Sequence, residues 1–307
     1  MNFRNSRLAA WKLTLALMLS AILAAGSVAC RNEDRAEQEV NEPEVISLLG
    51  KPLFRTPAEG EALAKLEAGL REAGARLEAS PDDPEAIIAY GRALSGLWRY
   101  HEAIAIYTRG IEAYPDYAML YRHRGHRYIS TRQFDKAVAD LGRAAELNDR
   151  DFDIWYHLGL AYYLRGEFDQ AEPAYLRCLE VSKDDGSIIA VSNWLYLTLR
   201  RQGKEEAARK ILDRIKEGME AGENIAYYKL LLFDKGLKSE EELEKAAAES
   251  DLDMATIGYG LACRLLIRGE REKAFEMFRK IVTLPYWPAF GYIAAEVELA
   301  RAQAQNR

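Results

Sequence analysis

The chain is poor in the residues that most enzyme and metal chemistry draws on. Its 307 residues hold only four histidines, three cysteines and nine prolines. No stretch alternates Val, Ile and Thr with polar residues over strand lengths, so nothing demands a sheet, and the 49% hydrophobic content is that of a globular chain. An all-α fold is expected. Cationic excess is also missing: 42 Lys and Arg face 48 Asp and Glu. That balance argues against a nucleic-acid surface, which needs concentrated positive charge to neutralise phosphates.

Each stretch that begins like a catalytic or metal motif lacks a necessary part. His101-Glu102-Ala103-Ile104-Ala105 opens like a zinc-protease helix, but Ala105 stands where a second imidazole must meet the metal. Gly258-Tyr259-Gly260 opens like a dinucleotide loop, but no strand precedes it and Cys263 takes the third glycine place. His123, His126 and His157 could share a face, yet no acidic or thiol partner repeats their geometry. The expectation is a protein without enzymatic activity, cofactor or metal.

The amino terminus reads as a targeting segment over residues 1–29. Arg4, Arg7 and Lys12 form a basic region, Leu13 to Ala25 an apolar run, and Ser27-Val28-Ala29-Cys30 a small-residue cleavage site. Its removal takes away three basic groups and no acidic ones, moving the formal net charge from −6 to −9. Leu23 to Cys30 resembles the lipobox of bacterial lipoproteins, with Ser27 where that family usually has Leu. The resemblance implies lipidation at Cys30, with ordinary cleavage after Ala29 and an uncleaved anchor as alternatives. The apolar run is short beside the roughly 20 residues of a spanning helix. Residues 30–55, polar and acidic, read as a flexible tether. Thr56-Pro57-Ala58-Glu59 then has the layout of a capping box with Pro at the first helical position, opening a capping helix over 56–80.

From Pro84 to Asp185 the chain falls into three consecutive blocks of 34 residues. The first carries Gly91, Ala103, Tyr107 and Pro115 at places 8, 20, 24 and 32. The second carries Tyr121, Gly125, Tyr128, Ala137, Leu141 and Ala144. The third has Trp155, Leu158, Gly159, Tyr162, Ala171, Tyr175 and Cys178. Small residues at places 8 and 20 let two antiparallel helices approach, and aromatic residues at 4, 11 and 24 fill the space between successive pairs. These residues resemble the tetratricopeptide repeat (TPR) family, which implies a right-handed solenoid of helical hairpins. Two degenerate pairs follow over 186–251, a further repeat over 252–285 and a closing helix over 286–303, giving about six pairs between capping helices. Cys178 and Cys263 lie more than two repeats apart, so a solenoid would keep them unpaired as buried small hydrophobes.

In TPR proteins, places 2, 5, 9, 12 and 13 of the first helix line a concave face that binds peptides. The resemblance therefore nominates Arg92, Ser95, Arg122, His126, Ser130, Asp153, Tyr156, Leu160 and Tyr163 as a partner-binding groove. The basic clamp of chaperone-binding members is absent, with Ile88, Arg92 and Asp153 at its places. The order of segments, including Trp194-Leu195-Tyr196-Leu197 and the irregular pair after it, is similar to the NlpI-type TPR lipoproteins of Gram-negative envelopes. That likeness implies an exported adaptor, lipid-anchored to the bacterial outer membrane, with envelope proteases or peptidoglycan hydrolases as partners and a homodimer as one state. The alternative is a structural subunit of an outer-membrane assembly or secretion complex.

Overall fold

The computed structural model describes residues 42–56 and 58–305. The targeting segment, Cys30 and the first part of the expected tether lie outside the described residues. Among the described residues, fourteen α-helices, one 3-10 turn (Gly222–Asn224) and one hairpin of two-residue strands, β1 (Val45–Ile46) and β2 (Pro52–Leu53), make up the regular structure. The all-α expectation is met. By internal packing the chain divides into two units, residues 42–45 with 52–124 and residues 46–51 with 125–305.

The first unit contains α1 (Gly60–Ala79), α2 (Pro84–Gly96), α3 (Tyr100–Ala113) and the first half of α4 (Ala118–Ser130). Asp83 caps α2 by accepting the Glu85 amide at 2.9 Å, with Pro84 in the first turn, where its missing N–H costs nothing. A core of Leu77, Ile87, Ile88, Leu94, Ile106, Tyr107 and Leu120 is buried between the helices. Gly91 belongs to that packing: a Cβ there would stand 2.4 Å from the Tyr107 ring, so place 8 must be small opposite the aromatic of place 24.

Two expectations for the amino-terminal part are corrected. The first helix begins at Gly60 rather than at residue 56, and its N-cap is Glu59 with no side-chain cap. Thr56 therefore caps nothing; Gly60 itself adopts φ +57, a left-handed conformation from which the chain turns into the helix. Residues 42–55 are not a free tether either. Glu44 is buried, pairs with Arg55 at 2.7 Å and accepts the His101 amide at 2.8 Å, supplying the α3 N-terminus with an anion that its orphan N–H groups favour.

The second unit holds the remaining helices: α5 (Phe134–Leu147), α6 (Phe152–Arg165), α7 (Phe168–Val181), α8 (Asp185–Arg201), α9 (Glu205–Leu212), α10 (Ile225–Asp234), α11 (Glu240–Ala247), α12 (Asp251–Ile267), α13 (Arg271–Ile281) and α14 (Phe290–Gln305). Asp184 opens α8 through a capping box with Ser187. From Ile189 to Leu199 every residue of α8 is buried, and α14 is buried on all sides from Gly291 to Leu299. A helix that is covered all round is central rather than peripheral. The closing helix is thus no mere edge cap: it packs against α6, α12 and α13.

The closest backbone approach explains one glycine. A Cβ on Gly291 would sit 2.0 Å from the Ala255 carbonyl oxygen of α12, and backbone cannot swing aside as a side chain can. Gly291→Ala is expected to destabilise the fold by roughly 3 kcal/mol. Gly159→Leu, driven into the Tyr175 ring 2.6 Å from its Cβ position, should cost at least as much. Gly142→Ala, with nothing within 4 Å and a helical setting, should be neutral or stabilise by up to about 1 kcal/mol. Thermal and urea unfolding of the three variants checks this order.

Candidate functional site

The nine nominated groove residues fall on the first helices of three successive hairpins, and their surroundings differ sharply. In the first unit Arg92 is exposed on α2, Ser95 is half-buried with its hydroxyl donating to the Gly91 carbonyl at 2.8 Å, and Arg122 is half-buried on α4 with Nη1 2.9 Å from His123 Nδ1. His123 itself stacks on Tyr107 at 5.6 Å between centroids.

In the second unit the expected open face is corrected. Ser130, Tyr156, Leu160 and Tyr163 are buried. The Tyr156 hydroxyl accepts the indole N–H of Trp194 at 3.0 Å, and the Tyr163 hydroxyl meets that of Tyr259 at 2.9 Å. Phe290, at the start of α14, lies 5.5 Å from the His126 ring and 5.8 Å from that of His157. Arg301, further along α14, donates to the Leu164 carbonyl at 2.6 Å. The chain's own closing helix therefore occupies this stretch of the face. His126 and Asp153 remain half-buried at its margin.

What seats α14 there is a buried ion pair between residues outside the nominated groove. Arg132 and Glu296 have side chains only 2% and 0% exposed. The guanidinium approaches the carboxylate with two nitrogens, Nη2 at 2.8 Å and Nε at 3.3 Å, and also donates to the carbonyls of Ser130 at 2.5 Å and Trp287 at 3.1 Å. Glu296 accepts a further bond from the Leu48 amide at 2.6 Å. Trp287 and Tyr292 lie beneath the guanidinium at 5.4 and 5.9 Å. Such full satisfaction is what lets two charges remain in a dry interior.

Arg132 also pays in backbone conformation, with φ +61 in the α4–α5 turn. The equivalent place in later hairpins is Gly166, Gly203 or Gly269, all with positive φ. A non-glycine residue held left-handed costs on the order of 1–3 kcal/mol. That contrast, Arg where the neighbouring repeat has Gly, is the sequence signal that could have found the pair. A second was two glutamates within the apolar run of Ile293 to Leu299.

The motif fragments are absorbed by packing. Gly258 and Gly260 lie inside α12, and a Cβ on Gly260 would meet Leu230 at 2.5 Å. The His126 and His157 rings are 4.2 Å apart, and His157 Nδ1–H donates to the Asp153 carbonyl at 2.6 Å. Among the described residues no three His, Cys, Asp or Glu side chains converge as a metal site. Burial pushes the hydroxyls of Tyr156, Tyr163, Tyr175 and Tyr259 well above the ordinary phenol range, and it raises the Cys178 and Cys263 thiols. These groups stay protonated and serve as core. Both cysteines are free and buried.

The tetratricopeptide repeat family model matches residues 122–186. Anaphase-promoting complex subunit 3 of Schizosaccharomyces pombe is 25% identical over 120 residues, 39% of this chain and 18% of that protein. Tetratricopeptide repeat protein 13 of Homo sapiens is 28% identical over 144 residues, 47% of this chain and 17% of that protein. Small glutamine-rich tetratricopeptide repeat-containing protein 2 of Saccharomyces cerevisiae is 31% identical over 88 residues, 29% of this chain and 25% of that protein. The chain thus spans a quarter or less of each of these relatives. Among solved structures, a thermophilic TPR protein of Thermus thermophilus aligns with a TM-score of 0.45 at 24% identity, covering 56% of this chain and 93% of that one.

Removing one partner of the Arg132–Glu296 pair leaves the other charged and buried. Glu296→Ala is expected to cost about 3–5 kcal/mol, whereas the double variant Arg132→Met with Glu296→Leu should recover most of that loss. Urea unfolding of the single and double variants measures the difference.

Proposed function

We propose that this protein is a non-enzymatic scaffold that binds partner proteins or peptides through its tetratricopeptide repeats. The observation that carries this is the contrast along the first helices of the hairpins. The self-covered stretch in the second unit, with Tyr156, Leu160 and Tyr163 buried, has an internal ligand, whereas Arg92 is exposed and has no ion pair among the described residues. Arg92, Ser95 and Arg122 together offer charge and hydrogen bonding suited to carboxylate and main-chain groups of an extended segment. The targeting segment and the lipobox-like run ending at Cys30 support a place in the bacterial envelope, anchored by lipid, in the manner of the NlpI-type lipoproteins.

A photo-crosslinking amino acid at position 89, one turn before Arg92 on α2, should capture partner proteins in cells. The same probe at Glu112, exposed on the second helix of that hairpin, should capture few. Equal capture from both positions would overturn the concave-face assignment. Separately, cells fed labelled palmitate should yield labelled protein, and Cys30→Ala should abolish the label; a labelled Cys30→Ala protein would remove the lipid anchor from the proposal.

A further inference from the structure

An open cleft of about 500 Å³ lies in the second unit, where the ends of α8, α12 and α14 meet the starts of α9 and α13. Four arginines line it, Arg200, Arg201, Arg271 and Arg301, against two carboxylates, Glu205 and Glu298. In a chain with a formal net charge of −6 this is a local excess of two positive charges.

Internal pairing accounts for only part of that charge. Glu298 is shared, at 2.7 Å from Arg201 and 3.4 Å from Arg301. Arg200 pairs with Glu205 at 3.0 Å and donates to the Tyr196 hydroxyl at 2.8 Å. Arg200 and Arg201 also stand in the last turn of α8, where the helix dipole favours cations, and Arg301 donates to the Leu164 carbonyl at 2.6 Å near the end of α6. Arg271 has neither explanation. It is the first residue of α13, where the dipole opposes a cation, it is exposed, and it has no ion pair among the described residues. Its guanidinium is instead held over the Phe275 ring at 4.5 Å, which fixes its place without neutralising it. Beside it Leu266, Ile267 and Phe275 give the cleft an apolar wall.

We propose that this cleft binds a peptide segment in which carboxylates adjoin apolar side chains, Arg271 receiving a carboxylate and the Leu266–Phe275 wall the apolar groups. Planar guanidiniums recognise carboxylates through paired N–H donors, and a cavity of this size holds a few residues. The apolar wall favours such a segment over a bare phosphate group. The site is independent of the concave face around Arg92, so loss of either one leaves the other testable.

The test is fluorescence anisotropy with the full chain and a fluorescein-labelled peptide Gly-Ser-Glu-Asp-Leu-Phe. Its control is the amidated Gly-Ser-Gln-Asn-Leu-Phe. The acidic peptide should bind at least ten-fold more tightly than the control, and replacing its Leu-Phe by Ser-Ser should weaken it several-fold. Arg271→Glu should weaken binding at least ten-fold while shifting the melting temperature by no more than a few degrees, because that side chain carries no internal ion pair and a carboxylate at a helix start offsets the lost contact with Phe275. Arg92→Glu should leave this affinity unchanged while abolishing the crosslinks from the concave face. Equal binding of the acidic and neutral peptides, or unaltered binding by Arg271→Glu, would overturn the proposal. Displacement of the peptide by inorganic phosphate at far lower concentration than by acetate would overturn it as well, assigning the cleft to phosphate groups.

Discussion

The buried pair of Arg132 and Glu296 is the constraint around which the second unit is arranged. A repeat array built only from neighbour contacts would leave its concave face open and its last helix at the edge. Here one guanidinium, drawn inward from a turn at φ +61, makes the last helix a central element. Desolvating two charges brings little net stability even when they are well paired. The pair instead makes alternatives expensive: any register of α14 that separates Glu296 from Arg132 leaves a bare charge in the core. The surrounding apolar burial of Ile293, Ala294, Val297 and Leu299 supplies the attraction, and the ion pair selects the position.

The same device recurs around α14 and α12. Glu298 lies two residues beyond Glu296 and holds Arg201 of α8 at 2.7 Å, while Arg264 of α12 forks onto Asp234 of α10 with Nε 3.0 and 3.1 Å from the two carboxylate oxygens. The first link ties the closing helix to a first helix, and the second joins the first helices of two different hairpins. Aromatic side chains fill the space among them: Trp194 lies 5.1 Å from Tyr163, 5.9 Å from Tyr259 and 6.2 Å from Tyr227 by ring centroids. Irregular helical pairs after Asp185 are therefore not decayed repeats in any useful sense. Their first helices have exchanged an open face for a shared interior.

What was legible in the sequence follows from the range of the interaction responsible. Gly91 against Tyr107, Gly125 against Leu141 and Gly159 against Tyr175 are contacts at a fixed separation within one hairpin, so periodicity exposes them. The six hairpins and both flanking helices were visible for that reason. Arg132 and Glu296 are 164 residues apart, and no period relates them. Repeat register alone therefore presents the face they close as open, although Ser130, Tyr156, Leu160 and Tyr163 are buried in the core. Glu44 escaped notice for a similar reason: its role depends on His101, 57 residues away, and in isolation it looks like one more acid in a polar stretch.

A face that is filled by its own chain constrains where recognition can occur. Binding by the covered stretch would require α14 to leave, exposing the apolar side chains of Ile293, Val297 and Leu299 and stranding Arg132 among buried groups. Any partner there must replace an internal ligand of matching charge and shape, and it competes at the high effective concentration of a tethered helix. Surfaces that carry charge without an internal counterpart face no such competitor. Arg92 in the first unit and Arg271 in the second are two such charges. Both are exposed arginines on scaffolding otherwise rich in paired charge, and neither takes part in an ion pair among the described residues. Recognition at those two places would leave the buried network intact, so that stability and binding can vary independently along the chain.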